Sequence, residues 1–408
     1  MAITLRLTGI MAIMLYMKLK VLLLVFIPLF SFSQIVFPEA MYSPTWGFYI
    51  DLPEGYQFVD GDARDRFSFS GPEGLMFDLV VYNRQFNSML DLVEDVNRRL
   101  QNQGDVDFFI YNGKQAAIIN LDFGPNPQTR FSGWGLVVEL GPQSGANQGN
   151  SLPGNELPML LALSYGPVNR GDFAIFHLSA LDSIAPTVVE RRFPGPITQY
   201  SYPRGEAKNV PIALKGFNAV IHENDAEAAQ VLIEREFAIL RAYQNTAFLQ
   251  DAFIRYYRFI YRDSFVRVEN AIQVVVREFA GHQAVTDEQK RAFAQRTLSF
   301  IQGFHYERDL SGSDFINLVT AVTEGRGSCD NYSMLFAIIL GNANIRCAMM
   351  ISLHYGHAMA LVDIPGAGAR FESHGTRWLV AETTAKVDIG LIAADESDPQ
   401  YWFAILFE

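Results

Sequence analysis

GRGSCDNYSMLFAIILGN, residues 325–342, is the stretch on which the reading of this chain turns. Gly325 and Gly327 allow a tight turn, because a residue without Cβ tolerates backbone conformations closed to others. Beyond the turn, Tyr332, Leu335, Phe336, Ile339 and Leu340 stand at i, i+3, i+4, i+7 and i+8, the stripe of a helix buried along one face. Cys329 therefore sits at or beside a helix N-terminus. The free N–H groups and the dipole there favour the thiolate, which is the nucleophilic form. A cysteine so placed is more often just a small buried residue, so the surrounding segments decide.

Downstream, IRCAMMISL (345–353) and HAMALVDI (357–364) read as strands joined by a turn at His354-Tyr355-Gly356. A third strand, Arg377 to Glu382, ends in an acid followed by Thr383-Thr384. A cysteine at a helix start, a histidine opening one strand and a carboxylate closing another are the parts that nucleophilic acyl transfer needs. His354 competes with His357 for the role of base, but two residues three apart in a strand face opposite sides. Asp363 and Asp388 are weaker alternatives to Glu382. Upstream, Thr286 and Gln289 suit a capping box opening a helix that runs through RAFAQRTLSFIQGFHY (291–306).

These segments resemble the transglutaminase-like members of the papain-like cysteine peptidase superfamily, above all the bacterial ones. The matching motifs are Gly327-Ser328-Cys329-Asp330-Asn331-Tyr332, then Gly356-His357-Ala358-Met359-Ala360-Leu361-Val362, then Trp378-Leu379-Val380-Ala381-Glu382-Thr383-Thr384. Phe300-Ile301-Gln302 with Tyr306, and Asp388-Ile389-Gly390, match flanking motifs. The resemblance implies Cys329 as nucleophile, His357 as general base and later acid, Glu382 as the group orienting the imidazole, and Gln302 as an oxyanion donor with the Cys329 N–H. Two departures stand out. Ser328 occupies the place of an aspartate common before the nucleophile, and the third member is Glu rather than the Asp frequent elsewhere in the superfamily. Cys347 lies in an apolar strand and reads as core; a disulfide with Cys329 would block the chemistry.

The remainder organises into further segments. Residues 38–200 read as an α+β domain of antiparallel strands with one helix near Ser88 to Gln103, carrying Leu92, Val93, Val96 and Leu100 on one face. GFYIDLPEGYQF (47–58) and the strand–helix–strand order after it resemble the PsbP-like fold; Trp46 and Trp134 read as core. Residues 141–157 are a Gly/Asn/Pro-rich loop, and the prolines between 193 and 213 suit a linker. A helical connector, 214–285, opens with Asn224 and Glu227 at capping-box spacing and breaks near Asn245 and Asp263. Within it, FIRYYRFIYRDSF (253–265) sets Arg255, Arg258 and Arg262 at helical spacing, expected to be solvated opposite a buried face. The transglutaminase-like domain is expected over 286–408.

At 408 residues, 49% hydrophobic and 19% charged, the chain is globular and large enough for several cores. A net charge of −12 argues against a nucleic-acid partner. Two cysteines exclude a disulfide framework, and seven scattered histidines without a metal-ligand motif imply no metal and no other cofactor. Met17-Lys18-Leu19-Lys20, the apolar run Val21 to Phe30 and Ser31-Phe32-Ser33 have the layout of a signal peptide over 1–33, with Met17 an alternative start. An uncleaved anchor is the rival, though Lys18 and Lys20 interrupt the apolar run. No cysteine follows it for lipidation.

The expectation is an exported, periplasmic or envelope-associated multidomain α+β protein. Its N-terminal antiparallel sheet and helical connector precede a papain-type fold hydrolysing peptide or amide bonds of a peptide or protein substrate. The alternative is an envelope binding or assembly protein that keeps the fold without turnover, which Ser328 favours.

Overall fold

Alternation of buried and half-buried residues along Met76–Tyr82 shows how the first half of the chain is built, one face of the strand on each side of a sheet. The structure is a computed structural model that describes residues 40–407 apart from 125, 127, 128, 142–156, 171, 172, 281–285 and 310. The chain divides into two units, Met1–Val36 and Phe37–Glu408, and all described residues lie in the second. The signal-peptide expectation for 1–33 and most of the loop expected over 141–157 therefore lie outside the described residues.

A short ribbon, β1 (Met41–Tyr42) with β2 (Tyr49–Ile50), precedes a seven-stranded antiparallel sheet. Its strands are β3 (Gln57–Gly61), β4 (Arg66–Ser70), β5 (Met76–Tyr82), β6 (Val106–Tyr111), β7 (Lys114–Phe123), β8 (Phe131–Glu139) and β9 (Met159–Pro167), in the order β3-β4-β5-β9-β8-β7-β6. Helix α1 (Met89–Leu100) starts at Ser88, whose hydroxyl accepts from Asp91 N–H at 3.1 Å. It buries Leu92 and Val93 on Ile119 and Val137 of one sheet face. Phe48, Phe77, Leu79 and Leu136 line the other face together with Leu181 of α2 (Ala174–Asp182). The stretch expected as a linker contains α3 (Pro196–Ser201) and the hairpin strand β10 (Ala207–Pro211), which pairs with β11 (Asn218–His222).

The helical segment comprises α4 (Asp225–Ala242), α5 (Leu249–Arg267) and α6 (Glu269–Ala280). The break at Asn245 occurs, with φ at 67° there. The one expected near Asp263 falls later, at Val268 between α5 and α6, because the Asp263 carboxylate accepts two hydrogen bonds from Arg267 one turn on, both 2.9 Å, and the helix runs past it. Asn224 also fails as a side-chain cap; its amide donates instead to Pro203 O at 2.9 Å.

The arginines of α5 depart most from expectation. Arg255 donates to Glu236 (2.8 Å), Ser179 (2.7 Å) and Asp51 O (2.9 Å), and Arg258 forks onto the Asp51 carboxylate at 2.8 and 3.0 Å. Arg262 donates to the carbonyls of Asp182, Ser183 and Ile184 at the end of α2, and to those of Glu190 and Phe193. The carbonyls at the end of α2 lie where a helix leaves its acceptors without intrahelical partners, and a planar guanidinium with five donors suits the task. The helix face expected to meet solvent meets the first sheet's helices instead.

Beyond α7 (Asp287–Ile301), where the Thr286–Gln289 capping box forms as expected, come β12 (His305–Tyr306), α8 (Leu318–Glu324) and β13 (Arg326–Gly327). Helix α9 (Cys329–Asn342) then packs on a second antiparallel sheet. Its strands are β14 (Cys347–Ser352), β15 (His357–Val362), β16 (Arg370–Ser373), β17 (Thr376–Ala381) and β18 (Phe403–Leu406), in the order β16-β17-β15-β14-β18. Helix α9 is buried from Asn331 to Leu340 on every side rather than along one stripe, since Met334, Ala337 and Ile338 fill the remaining faces. One continuous core holds Leu232, Tyr257, Ile272, Leu298, Leu335 and Met349, so the three connector helices and the second sheet share it. Met350, Met359, Trp378 and Trp402 form a smaller core on the sheet's far face. Among the described residues, no helix is long and apolar enough to cross a membrane.

Candidate functional site

Backbone geometry fixes Cys329 first. Gly325, at φ 68°, closes α8 in the left-handed conformation. Gly327 has φ 152°, and a Cβ there would stand 2.8 Å from the Asn331 side chain. That side chain is needed where it is: Asn331 Oδ1 accepts from Ser328 N–H at 2.9 Å, and its amide donates to Ile316 O at 2.6 Å. Ser328 is 1% exposed, so an aspartate at this position would be a buried charge. Cys329 thus becomes the first residue of α9, 4% exposed, with its sulfur at a helix N-terminus.

Strand β15 begins at His357, on the sheet that α9 covers. His357 Nε2 lies 2.8 Å from Glu382 Oε2. The imidazole also hydrogen-bonds the Cys329 thiol, and with Nε2 taken the nitrogen facing sulfur is Nδ1. Burial disfavours the charged ring, but the bonds and charges of Cys329 and Glu382 outweigh it and raise His357 to about 10. Glu382 is pulled the other way: burial opposes its charge, yet its partners, His357 foremost, hold its carboxyl below the ordinary range.

The E-T-T segment has a physical role on both sides of the carboxylate. Glu382 Oε1 accepts from Thr384 N–H (2.6 Å), Thr384 Oγ1 (2.5 Å) and Ala385 N–H (3.2 Å), which leaves Oε2 for His357. Thr383 is fully buried and its hydroxyl meets Ser333 Oγ of α9 at 3.1 Å. The loop carrying the acid is thereby tied to the helix carrying the thiol.

Gln302 joins this group but not in the expected manner. It is 8% exposed, and its amide nitrogen donates to Glu382 O and Val387 O, both at 2.9 Å. Both amide hydrogens are engaged by backbone, so none is left for an oxyanion. Gln302 braces the Glu382 loop from the end of α7.

His354 lies in the turn before β15, stacked on Tyr401 with ring centroids 4.1 Å apart, away from the thiol. Asp363 pairs with Arg346 at the surface and Asp388 is exposed. Cys347 opens β14, half-buried, and burial pushes its thiol well up. Both cysteines are free.

Four further residues crowd the site. Tyr306 hydrogen-bonds the Cys329 thiol, and Tyr257 of α5 hydrogen-bonds Asp330. Burial pushes the Asp330 carboxyl up to about 6, against the effect of that tyrosine. Trp402 packs its ring 6.2 Å from His357 and donates its indole N–H to Glu396 O at 2.8 Å. Ligand atoms of His357, Glu382 and Glu396 lie within 4.8 Å of one another, a set that could hold a metal ion. Within this set, Nε2 of His357 and Oε2 of Glu382 already bond each other at 2.8 Å. Sequence spacing offered no signal for Tyr257, Glu396 or Trp402, which reach the site only through packing. A cavity of about 330 Å³ opens beside the turn that precedes Cys329, lined by Gly327, Asn331, Glu234, Glu307, Asp309 and Asp314.

No protein-family model matches this chain, and no curated protein matches it. Among solved structures it is similar to a solution structure of cyanobacterial PsbP from Synechocystis, with 14% identity, covering 36% of this chain and 91% of that one at a TM-score of 0.25. It is also similar to a crystal structure from Bacteroides thetaiotaomicron, with 9% identity, 55% of this chain, 76% of that one and a TM-score of 0.24. A PsbP structure is thus a neighbour, as the 47–58 segment led one to expect, and at these TM-scores neither likeness carries an argument about what the chain does.

Proposed function

We propose that this chain is an exported transglutaminase-like cysteine hydrolase that cleaves peptide or amide bonds through a thioester at Cys329. The observation that carries the reading is His357, bonded to Glu382 on one ring nitrogen and to the Cys329 thiol on the other. A cation held between sulfur and carboxylate favours the thiolate. In the reaction so proposed, sulfur attacks the acyl carbon and the carbonyl pair moves onto oxygen. The C–N bond then breaks as His357 gives its proton to the leaving amine. Water next loses a proton to His357 and attacks the thioester, and the C–S bond breaks to restore the thiolate. Hydrolysis is favoured over cross-linking because an exported chain meets abundant water. The 4% exposure of Cys329 favours a second reading, an envelope binding or assembly protein that keeps this fold without turnover.

Iodoacetamide labelling of the folded protein, read by peptide mass, separates the two. The enzyme reading expects Cys329 to label well ahead of Cys347. Equal, slow labelling of both sites sinks it.

A further inference from the structure

The bracket that holds the nucleophile's turn also carries a side chain to the sulfur. Strand β12 runs parallel to β13, with His305 opposite Arg326 and Tyr306 opposite Gly327. Two backbone bonds and one ion pair lock it: His305 N–H donates to Gly325 O at 2.8 Å, Glu307 N–H donates to Gly327 O at 3.0 Å, and the Glu307 carboxylate pairs with Arg326. Side chains alternate along a strand, so Tyr306 projects away from the side on which Glu307 meets Arg326. Its ring packs edge-on against Tyr332 of α9, centroids 6.1 Å apart, and its hydroxyl reaches the Cys329 thiol. Tyr306 remains 45% exposed, so its side chain is open to solvent while it reaches the sulfur. The one side chain expected to serve the oxyanion, Gln302, has both hydrogens committed elsewhere.

We infer that the Tyr306 hydroxyl, with the Cys329 N–H at the start of α9, forms the oxyanion site for acyl transfer at Cys329. The inference rests on the hydrolase reading and adds to it a donor that moves with the charge. Before attack, the negative charge is on sulfur and the phenol solvates it there. As the C–S bond forms, that charge passes to the carbonyl oxygen, and the same O–H turns to it with no proton transferred. Because the donor serves sulfur beforehand, only the difference between the two bonds accelerates the step. The expected effect therefore falls below the ~10²–10³ typical of losing a dedicated oxyanion donor.

Tyr306→Phe removes the hydroxyl and keeps the ring packing. Two rates are measured on the full chain: acylation of Cys329 by p-nitrophenyl acetate, which builds an oxyanion, and alkylation by iodoacetamide, which does not. The inference expects acylation to fall about ten- to a hundredfold, with alkylation unchanged or faster because the thiolate has lost a donor. Equal acylation by wild type and Tyr306→Phe overturns the assignment of Tyr306 alone, as does a parallel fall in both rates, which would mean only that Cys329 had shifted. A wild-type protein that forms no acyl-Cys329 overturns the hydrolase reading, and this inference with it.

Discussion

Two buried clusters of charge hold this molecule's attention, and they are built to opposite ends. At the junction of α2, α4 and α5, Arg255 meets Glu236 and Arg235 meets both Asp182 and Glu236, every carboxylate with no exposed surface. The cations there are guanidiniums, which do not lose a proton in proteins, and their donors are spread over carboxylates, Ser179 and a backbone carbonyl. In the second cluster Glu382 faces an imidazole, a group whose proton moves near neutral pH, and that imidazole turns its other nitrogen to a thiol. Burial and charge are common to both. What distinguishes the candidate site is a proton able to leave and a nucleophile to receive the consequence.

The contrast can be broken most sharply at Glu382. Glu382→Gln keeps the shape but presents an amide to His357 Nε2, which forces the ring proton onto the nitrogen facing sulfur. Acylation of Cys329 should fall by ~10³–10⁴, as when a triad carboxylate is made an amide, and stopped-flow acylation of both proteins measures it. A loss under tenfold would place the acid outside the mechanism.

At the arginine junction the effect belongs to stability. Arg255→Ala leaves Glu236 buried without its cation and should cost about 3–5 kcal/mol, read from urea unfolding. A cost under about 1 kcal/mol, the range of surface ion pairs, would mean that the junction is not held by this network.

The subtlest distinction is in pH. His357 is raised above its ordinary 6.5, so its contribution to stability is complete below 6.5 and fades as pH rises through about 10. Glu382 is lowered, so its contribution is complete above 4.5 and fades as pH falls through its depressed value. The unfolding free-energy difference between wild type and His357→Gln should therefore persist through neutral pH and vanish only in alkali. At the arginine junction the titrating neighbour is Glu54, whose carboxyl burial pushes up to about 7 against the charge of Arg255, so a wild-type versus Arg255→Ala difference should change near neutral pH instead. A His357 difference already gone at neutral pH would remove the imidazolium from the picture.

Local signals made much of this legible. The glycine turn before Cys329, the Thr286 capping box and the strands bearing His357 and Glu382 each announce themselves within a few residues, and the structure has them where the patterns put them. The burial of α9 on all sides was also written in Met334, Ala337 and Ile338, but a search for one apolar stripe passes over it. Other features depend on distance in space. Arg255 reaches Asp51 across 204 positions, and no periodicity registers such a partner. Gln302 matched a motif and sits in the right place, yet its role follows from two backbone carbonyls in a later loop. Tyr306 also matched a flanking motif, but its place beside Cys329 comes from a two-residue parallel pairing too short to leave a pattern.

Arg262 carries a consequence for how the chain is made. Its guanidinium completes the carbonyls of residues 182–184, 190 and 193, all of which leave the ribosome before it does. Domains usually fold as they emerge, but these acceptors gain their arginine only once α5 is synthesised. The order of synthesis thus leaves an interval in which the first half of the chain is structured in outline and unfinished at one edge, the state in which an unfolded-chain carrier would find it.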